Sequence, residues 1–307
     1  MKKCIFFSIL FGCFFNLQAA DQQPVEKSSF EVASSPKRLL TKIHEYQAPD
    51  WLKRVDFMWN IQRSLHPTWS LETIQPLYRT KDSYRNTIFF QGRARYKTRN
   101  TTFNLGLGYR YLSADESCMI GVNSFYDFTT RYKHQRWGAG AEVFSNYTVL
   151  RANCYKGLTS TKTIKKINDE ITTERVLGGW NIECEIPFPF LPWIRFTVDY
   201  YFWDGHNVKD EKGYHVSCLM DICDYLTLES GIDQSNYHKN NNFILLSFHL
   251  GRPERIQYTL FNKPYTKQAF SKRSVKMRTL EKVRRENNVV VLRKRKGSGL
   301  VTISRGS

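Results

Sequence analysis

"TTFNLGLGYRYL", residues 101–112, places Phe103, Leu105, Leu107, Tyr109 and Tyr111 at every second position, with Asn104, Gly106, Gly108 and Arg110 between them. A two-residue period is the mark of a β-strand with one apolar and one polar face. A single strand does not say which solvent meets the apolar face. The same period recurs in twelve segments: 53–62, 68–78, 86–97, 101–112, 118–128, 135–145, 147–157, 178–187, 192–203, 213–222, 224–232 and 242–251. Each has about 9 to 12 residues, the length a tilted strand needs to cross a bilayer. In 118–128, Ile120, Val122, Tyr126 and Phe128 alternate with Gly121, Asn123 and Asp127; in 192–203, Ile194, Phe196, Val198, Tyr200 and Phe202 alternate with Arg195, Thr197 and Asp199.

The polar face mixes small and charged residues, with Gly106, Gly108, Gly121, Gly138 and Gly140 beside Arg136 and Glu142. Such a mixture suits a crowded aqueous interior, and outer-membrane barrels are apolar outside and polar inside, with aromatic girdles at the interfaces. Trp69, Tyr78, Tyr109, Tyr111, Tyr126, Trp137, Trp180, Trp193 and Tyr214 lie near segment ends, where girdles belong. The expected fold is all-β: a twelve-stranded antiparallel transmembrane β-barrel of the outer membrane. Lumen-lining positions in this register are Arg93, Arg95, Arg110, Asp127, Glu142, Arg151, Glu183, Glu185, Arg195 and Asp199. From the seventh segment onward the connections alternate between long and short, with 158–177 ("LTSTKTIKKINDEITTERVL") expected to be a long external loop of mixed charge that contacts host or envelope polymers.

The start of the chain, "MKKCIFFSILFGCFFNLQAADQQ", runs from Lys2 and Lys3 through an apolar stretch to the small residues ending at Ala19. That order predicts a secretory signal peptide over 1–19. A polar leader over 20–50 follows, then the barrel over 51–251 and a basic linker or tail over 252–307. The tail holds 16 of the 46 Lys and Arg against three Glu, so the net charge of +18 is concentrated there. Nucleic acid is the usual partner of a basic tail, and the export signal excludes it. Five cysteines remain beyond the signal, at 118, 154, 184, 218 and 223, without C-x-x-C spacing. They read as small apolar strand residues, and no metal site or other cofactor is implied.

Catalysis finds little foothold. Ser247 with His249, and Ser217 with His215, share a face, but both pairs fall on the luminal side and no third orienting residue can be named from sequence. No G-x-S-x-G elbow, H-E-x-x-H helix or P-loop is present. On the polar face, nine acids (Asp56, Glu72, Asp127, Glu142, Glu183, Glu185, Asp199, Asp221, Glu229) outnumber the arginines at 93, 95, 110, 136, 151 and 195. A mildly anionic lumen attracts a cationic tail, so the tail is expected to plug the barrel, with the luminal glycines leaving room for it or bending the sheet.

"WSLETIQPLY" (69–78), "FNLGLGYRYLSADESCMIGVNSFYDF" (103–128), "RWGAGAEVFSNYTVLRANCYKGL" (136–158), and "VRRENNVVV" followed by "LRKRKGS" (283–298) resemble the β-domain of the intimin and invasin family, the inverse autotransporters. The resemblance implies a twelve-stranded barrel with a periplasmic N-terminus, inserted by the barrel-assembly machinery into outer-membrane lipid and lipopolysaccharide. It implies a linker, here 264–296, that folds back through the lumen, partly helical, and leads an adhesive passenger to the surface. About ten residues follow that linker here, against roughly 100 for an immunoglobulin-like domain. The expectation is therefore a translocator-like domain without an adhesive passenger. The alternatives are a surface adhesin acting through external loops on a host-cell or envelope ligand, and a porin-like pore.

Overall fold

A computed structural model describes residues 49–62, 65–97, 100–167, 170–237, 241–251, 253–296 and 301–305. The signal peptide read over 1–19, and the leader as far as residue 48, lie outside the described residues. A 3-10 turn, Leu52–Arg54, leads into the strands. In chain order these are β1 (Val55–Gln62), β2 (Leu65–Arg79), β3 (Asn86–Lys97), β4 (Asn100–Leu112), β5 (Cys118–Thr129), β6 (Gln135–Ser145), β7 (Val149–Gly157), β8 (Lys162–Ile167), β9 (Glu170–Val176), β10 (Gly179–Phe188), β11 (Leu191–Trp203), β12 (Glu211–Cys223), β13 (Leu226–Ser235), β14 (Asn241–His249), β15 (Val290–Lys296) and β16 (Val301–Arg305).

Twelve of them, β1–β7 and β10–β14, form a closed antiparallel barrel. The ring closes between β1 and β14, with Asp56 opposite His249 and Gln62 opposite Phe243. Closure removes every edge, so each barrel strand has a neighbour on both sides for its backbone, as a bilayer demands. The solvent question is settled by exposure. Leu105, Ile120, Val122 and Ile182 are each 50–57% exposed on the outer wall, whereas Arg110 and Arg136 are fully buried within. Eight of the nine girdle residues face outward; Trp193 is half-buried and donates from Nε1 to the Pro264 carbonyl at 3.1 Å.

The lumen is not lined by polar side chains alone, which corrects the two-faced reading. Ile74, Phe89 and Phe125 point inward and pack with Val283, and Leu112, Met119, Phe144 and Val149 pack with Val275. These rings account for two of the luminal glycines. A Cβ on Gly108 would stand 2.2 Å from the Phe89 ring, and one on Gly106 would stand 2.3 Å from Phe125. Gly140 makes room for Asn153 and Asn123 in the same way. Gly138 alone of these four opens onto the luminal segment, its missing Cβ 2.9 Å from the Arg285 guanidinium.

Two further expectations are corrected. Residues 158–177 are not a plain loop: they contain the β8–β9 hairpin, which joins β15 and β16 in a four-stranded sheet of order β16-β15-β9-β8. Nor does the whole tail thread the lumen. Residues 256–273 lie along the mouth formed by the tight turns, where Phe190 N donates to Ala269 O and Arg273 N to Asn146 O. Residues 274–289 cross the lumen with a single 3-10 turn, Lys276–Arg278, in place of a longer helix. From Val290 the chain emerges at the opposite, hairpin mouth, where Val291 pairs with Val176 and Lys296 with Ile171.

Gly108→Ala is expected to cost about 1–3 kcal/mol by overpacking against Phe89, read by urea unfolding in detergent micelles. In a Phe89→Ala background the same substitution should cost less than half as much, because the ring it meets is gone.

Candidate functional site

The luminal segment 274–289, here called the strap, forms none of its own strands or α-helices, so its backbone polar groups need partners from the wall. Arg110 Nη1 donates to Thr279 O (2.9 Å) and Glu281 O (2.6 Å). Gln91 brackets Val283, accepting from its N–H at 2.8 Å and donating to its carbonyl at 3.3 Å. Tyr155 Oη accepts from Glu286 N, Asn104 Nδ2 donates to Asn287 O, and Arg136 donates to Glu286 O and Asn288 O. The wall side chains thus take the place of a neighbouring strand.

Charge pairing fixes the strap's register. Between Arg273 and Asn288 the sequence carries six cations and two glutamates. Arg285 meets Asp127 through both guanidinium tips at 2.7 Å, and Asp127 also accepts from Arg136 at 2.8 Å. Glu281 accepts from Arg151 (2.9 Å) and Arg278 (2.6 Å); Arg151 continues to Glu183 and Glu185, and Arg278 also reaches Glu185. Arg284 bridges Glu183 and Glu229. Lys282 pairs with Asp56 at the barrel seam. Fork-shaped guanidinium groups against carboxylates give both strength and geometry in such a dry setting. Aromatic faces complete the seat: the Arg285 guanidinium lies 4.5 Å from the Phe125 ring centre, and Arg278 lies 5.0 Å from Phe144.

Of the ten lumen-lining positions, the structure brings Arg110, Asp127, Glu142, Arg151, Glu183, Glu185 and Arg195 into one network around the strap. Glu142 there holds Arg110 at 2.6 Å, and Arg195 holds Asp221 at 2.9 Å. Arg95 reaches the strap's end at Asn288 and also Thr68. Arg93 donates to Ser70, and Asp199 accepts at 2.7 Å from Asn181, which accepts in turn from the Tyr155 hydroxyl that holds Glu286 N of the strap. Sequence reasoning missed Gln91, Asn104 and Tyr155, uncharged side chains that hydrogen-bond the strap through its backbone and are themselves held by Glu72, Asp127 and Asn181 of the wall. The five cysteines are free, with Cys154 exposed.

The serine–histidine pairs take no nucleophile–base form. Ser217 donates to Glu229 at 2.6 Å, and His215 packs on Phe243. His249 does have an orienting carboxylate after all, Asp56 at 2.8 Å from Nδ1, and its Nε2 lies 2.9 Å from Thr227 Oγ1. The Thr227 hydroxyl, however, donates to Asp221. The chain of bonds ties β1, β13 and β14 together at the seam.

At the hairpin mouth a second clasp holds the emerging chain. Glu174 on β9 accepts from Arg293 on β15 at 2.5 and 2.9 Å and is 2.8 Å from His134 Nε2. Burial works against the Glu174 charge, but the His134 and Arg293 hydrogen bonds outweigh it and hold the carboxyl below the ordinary glutamate range. Beside the clasp, Tyr155, Leu177, Tyr201 and Trp203 pack with Val290, Leu292 and Ile303.

A family model, the inverse autotransporter β-domain, matches residues 15–287. The chain belongs to this family. It is 34% identical over 147 residues to a putative attaching and effacing protein homolog of Escherichia coli K12, a match covering 47% of this chain and 48% of the relative. It is 28% identical over 173 residues to the inverse autotransporter adhesin YeeJ of the same strain, across 53% of this chain and 7% of the relative. Over 201 residues it is 28% identical to invasin of Yersinia enterocolitica, across 62% and 23%. The chain therefore spans less than half the length of these curated relatives. A solved structure from a study of in-meso crystallisation of membrane proteins superimposes with a TM-score of 0.63, at 19% identity, over 78% of this chain and all of that one. Barrel and family together place the protein in the outer membrane.

Removing the Glu281 charge with Glu281→Gln leaves Arg151 and Arg278 facing each other with one carboxylate fewer. The expected loss is about 3–5 kcal/mol in unfolding of the full chain, with new trypsin cleavage at Arg284 and Arg285. The Glu174 clasp has a definite pH sense. A carboxyl depressed in the folded state contributes fully above the ordinary glutamate value of about 4.3, and that contribution is lost as pH falls below it through the folded value. Proteolysis of β15–β16 should therefore rise on acidification through that window, and Glu174→Gln should abolish the step.

Proposed function

We propose that the barrel conducts its own C-terminal chain from the turn mouth to the hairpin mouth and holds it at the outer surface. The observation that carries this reading is the passage of residues 274–289 through the lumen into a strand paired with β9. In this reading residues 1–19 direct export, the barrel-assembly machinery inserts the strands, the turn mouth faces the periplasm, and the hairpin mouth stands among lipopolysaccharide. The family's adhesins support surface display as its purpose. The four-stranded sheet would then be the part met by a host-cell or envelope ligand. Exposed Lys165 and Lys166 on β8 suit an anionic polymer.

An epitope tag joined after Ser307 is expected to bind antibody on intact cells. Binding only after the outer membrane is broken would place the chain's end inside and overturn the reading.

A further inference from the structure

The strap does not fill the barrel evenly. Its backbone and ion-pair partners lie chiefly on β3–β7 and β10, and beside it remains a cavity of about 1070 Å³. Among the described residues, the lining comes from β1–β3, β10–β14, Tyr237 and Arg255 beyond the ends of β13 and β14, the strap and the β15–β16 hairpin, with no contribution from β4–β7. Thr302, Ile303 and Ser304 of β16 form part of its wall at the hairpin mouth. At roughly 30 Å³ per water, the space holds some tens of waters or a small solute.

Charge is separated across this chamber toward its hairpin mouth. Arg95 and Lys97 line it there from β3, whereas Glu211 on β12 and Asp233 on β13 line it from the other side; deeper in, the signs are mixed, with Glu72 opposite Arg93 and Arg195 on β11 with Asp199. In the ring order β1-β14-β13-β12-β11-β10-β7-β6-β5-β4-β3-β2, β3 and β11 stand six places apart, diametrically opposed. The heights agree as well: Lys97 ends β3 and Glu211 begins β12, both at the hairpin mouth. At that end, cations facing acids across a space enclosed by low-dielectric sheet set up a transverse field that aligns a dipolar solute. Three buried polar atoms that line the same space, Asn60 Oδ1, Asn241 Oδ1 and Arg93 Nε, have no hydrogen-bond partner among the described residues. Each offers an acceptor or donor to a solute or to water.

We infer that this chamber is a binding site for small zwitterionic solutes of the size of a short peptide, held with the carboxylate toward β3 and the ammonium toward β11–β13. The site borders the strap and shares Glu183, Glu185 and Glu229 with its seat, but takes nothing from β4–β7. It does not depend on which way the barrel faces or on what the emerging chain does.

The test is calorimetric titration of the full chain in lipid nanodiscs with two probes of matched backbone, triglycine and its N-acetylated, C-amidated form, which carries no charge. Triglycine should bind with millimolar affinity and the blocked form about tenfold more weakly or worse. Lys97→Gln and Asp233→Asn should each weaken triglycine at least about threefold, without changing the response to the blocked form. The comparison of probes on the unaltered chain stands whether or not the variants fold. Equal affinity for the two probes, or no triglycine binding at tens of millimolar, would overturn the inference, as would full triglycine affinity in both folded variants.

Discussion

Arginines and carboxylates sealed inside a membrane barrel must find each other, and in this protein they do so through a piece of the chain that belongs to no strand. A twelve-stranded wall encloses more space than its own side chains fill. Asp127, Glu183 and Glu185 face that space sharing Arg136, Arg151 and Arg195 of the wall, and Glu229 pairs with Arg284 of the strap. The strap supplies Arg278, Arg284 and Arg285 at the required heights. Removing one member of such a buried set costs far more than the set contributes over an apolar alternative. The pairing is therefore best understood as fixing position: in this register Arg278, Glu281, Lys282, Arg284 and Arg285 each meet an opposite charge.

The remaining features of the lumen follow from that seat. Phe125 and Phe144 place π surface beneath Arg285 and Arg278, Phe89 does so beneath Arg110, and all three pack against Val275 or Val283. Gly106 and Gly108 exist so that those rings can lie across the neighbouring strand. Because the strap hugs one side of the wall, the other side keeps a chamber lined by charges of both signs. At the far mouth the Glu174 clasp and the apolar cluster around Trp203 turn a threaded segment into a folded sheet.

The barrel itself was legible in the alternation of segments such as 101–112, because a bilayer imposes the two-residue period on every strand. The site was legible only where charge marked it. Arg110 and Asp127 stood out by charge on a polar face; Asn104 shared that face without a mark of its role, and Gln91 and Tyr155 did not stand out, since binding a backbone requires no charge. Segment 158–177 looked like a loop for a physical reason. Thr172, Glu174 and Val176 are buried alternately only because β15 covers them, and without that partner their pattern is polar on both faces. Phe125 was hidden by the assumption that a lumen is wet throughout, which fails where Val283 covers it.

The most direct test of the account is a double-mutant cycle between the wall and the strap, using Asp127→Asn and Arg285→Gln in the full chain, with stability read from reversible unfolding in micelles. Coupled seating expects an interaction energy of about 2 kcal/mol or more between the two sites. Additivity within about 0.5 kcal/mol would mean that the strap and the wall do not hold each other by charge.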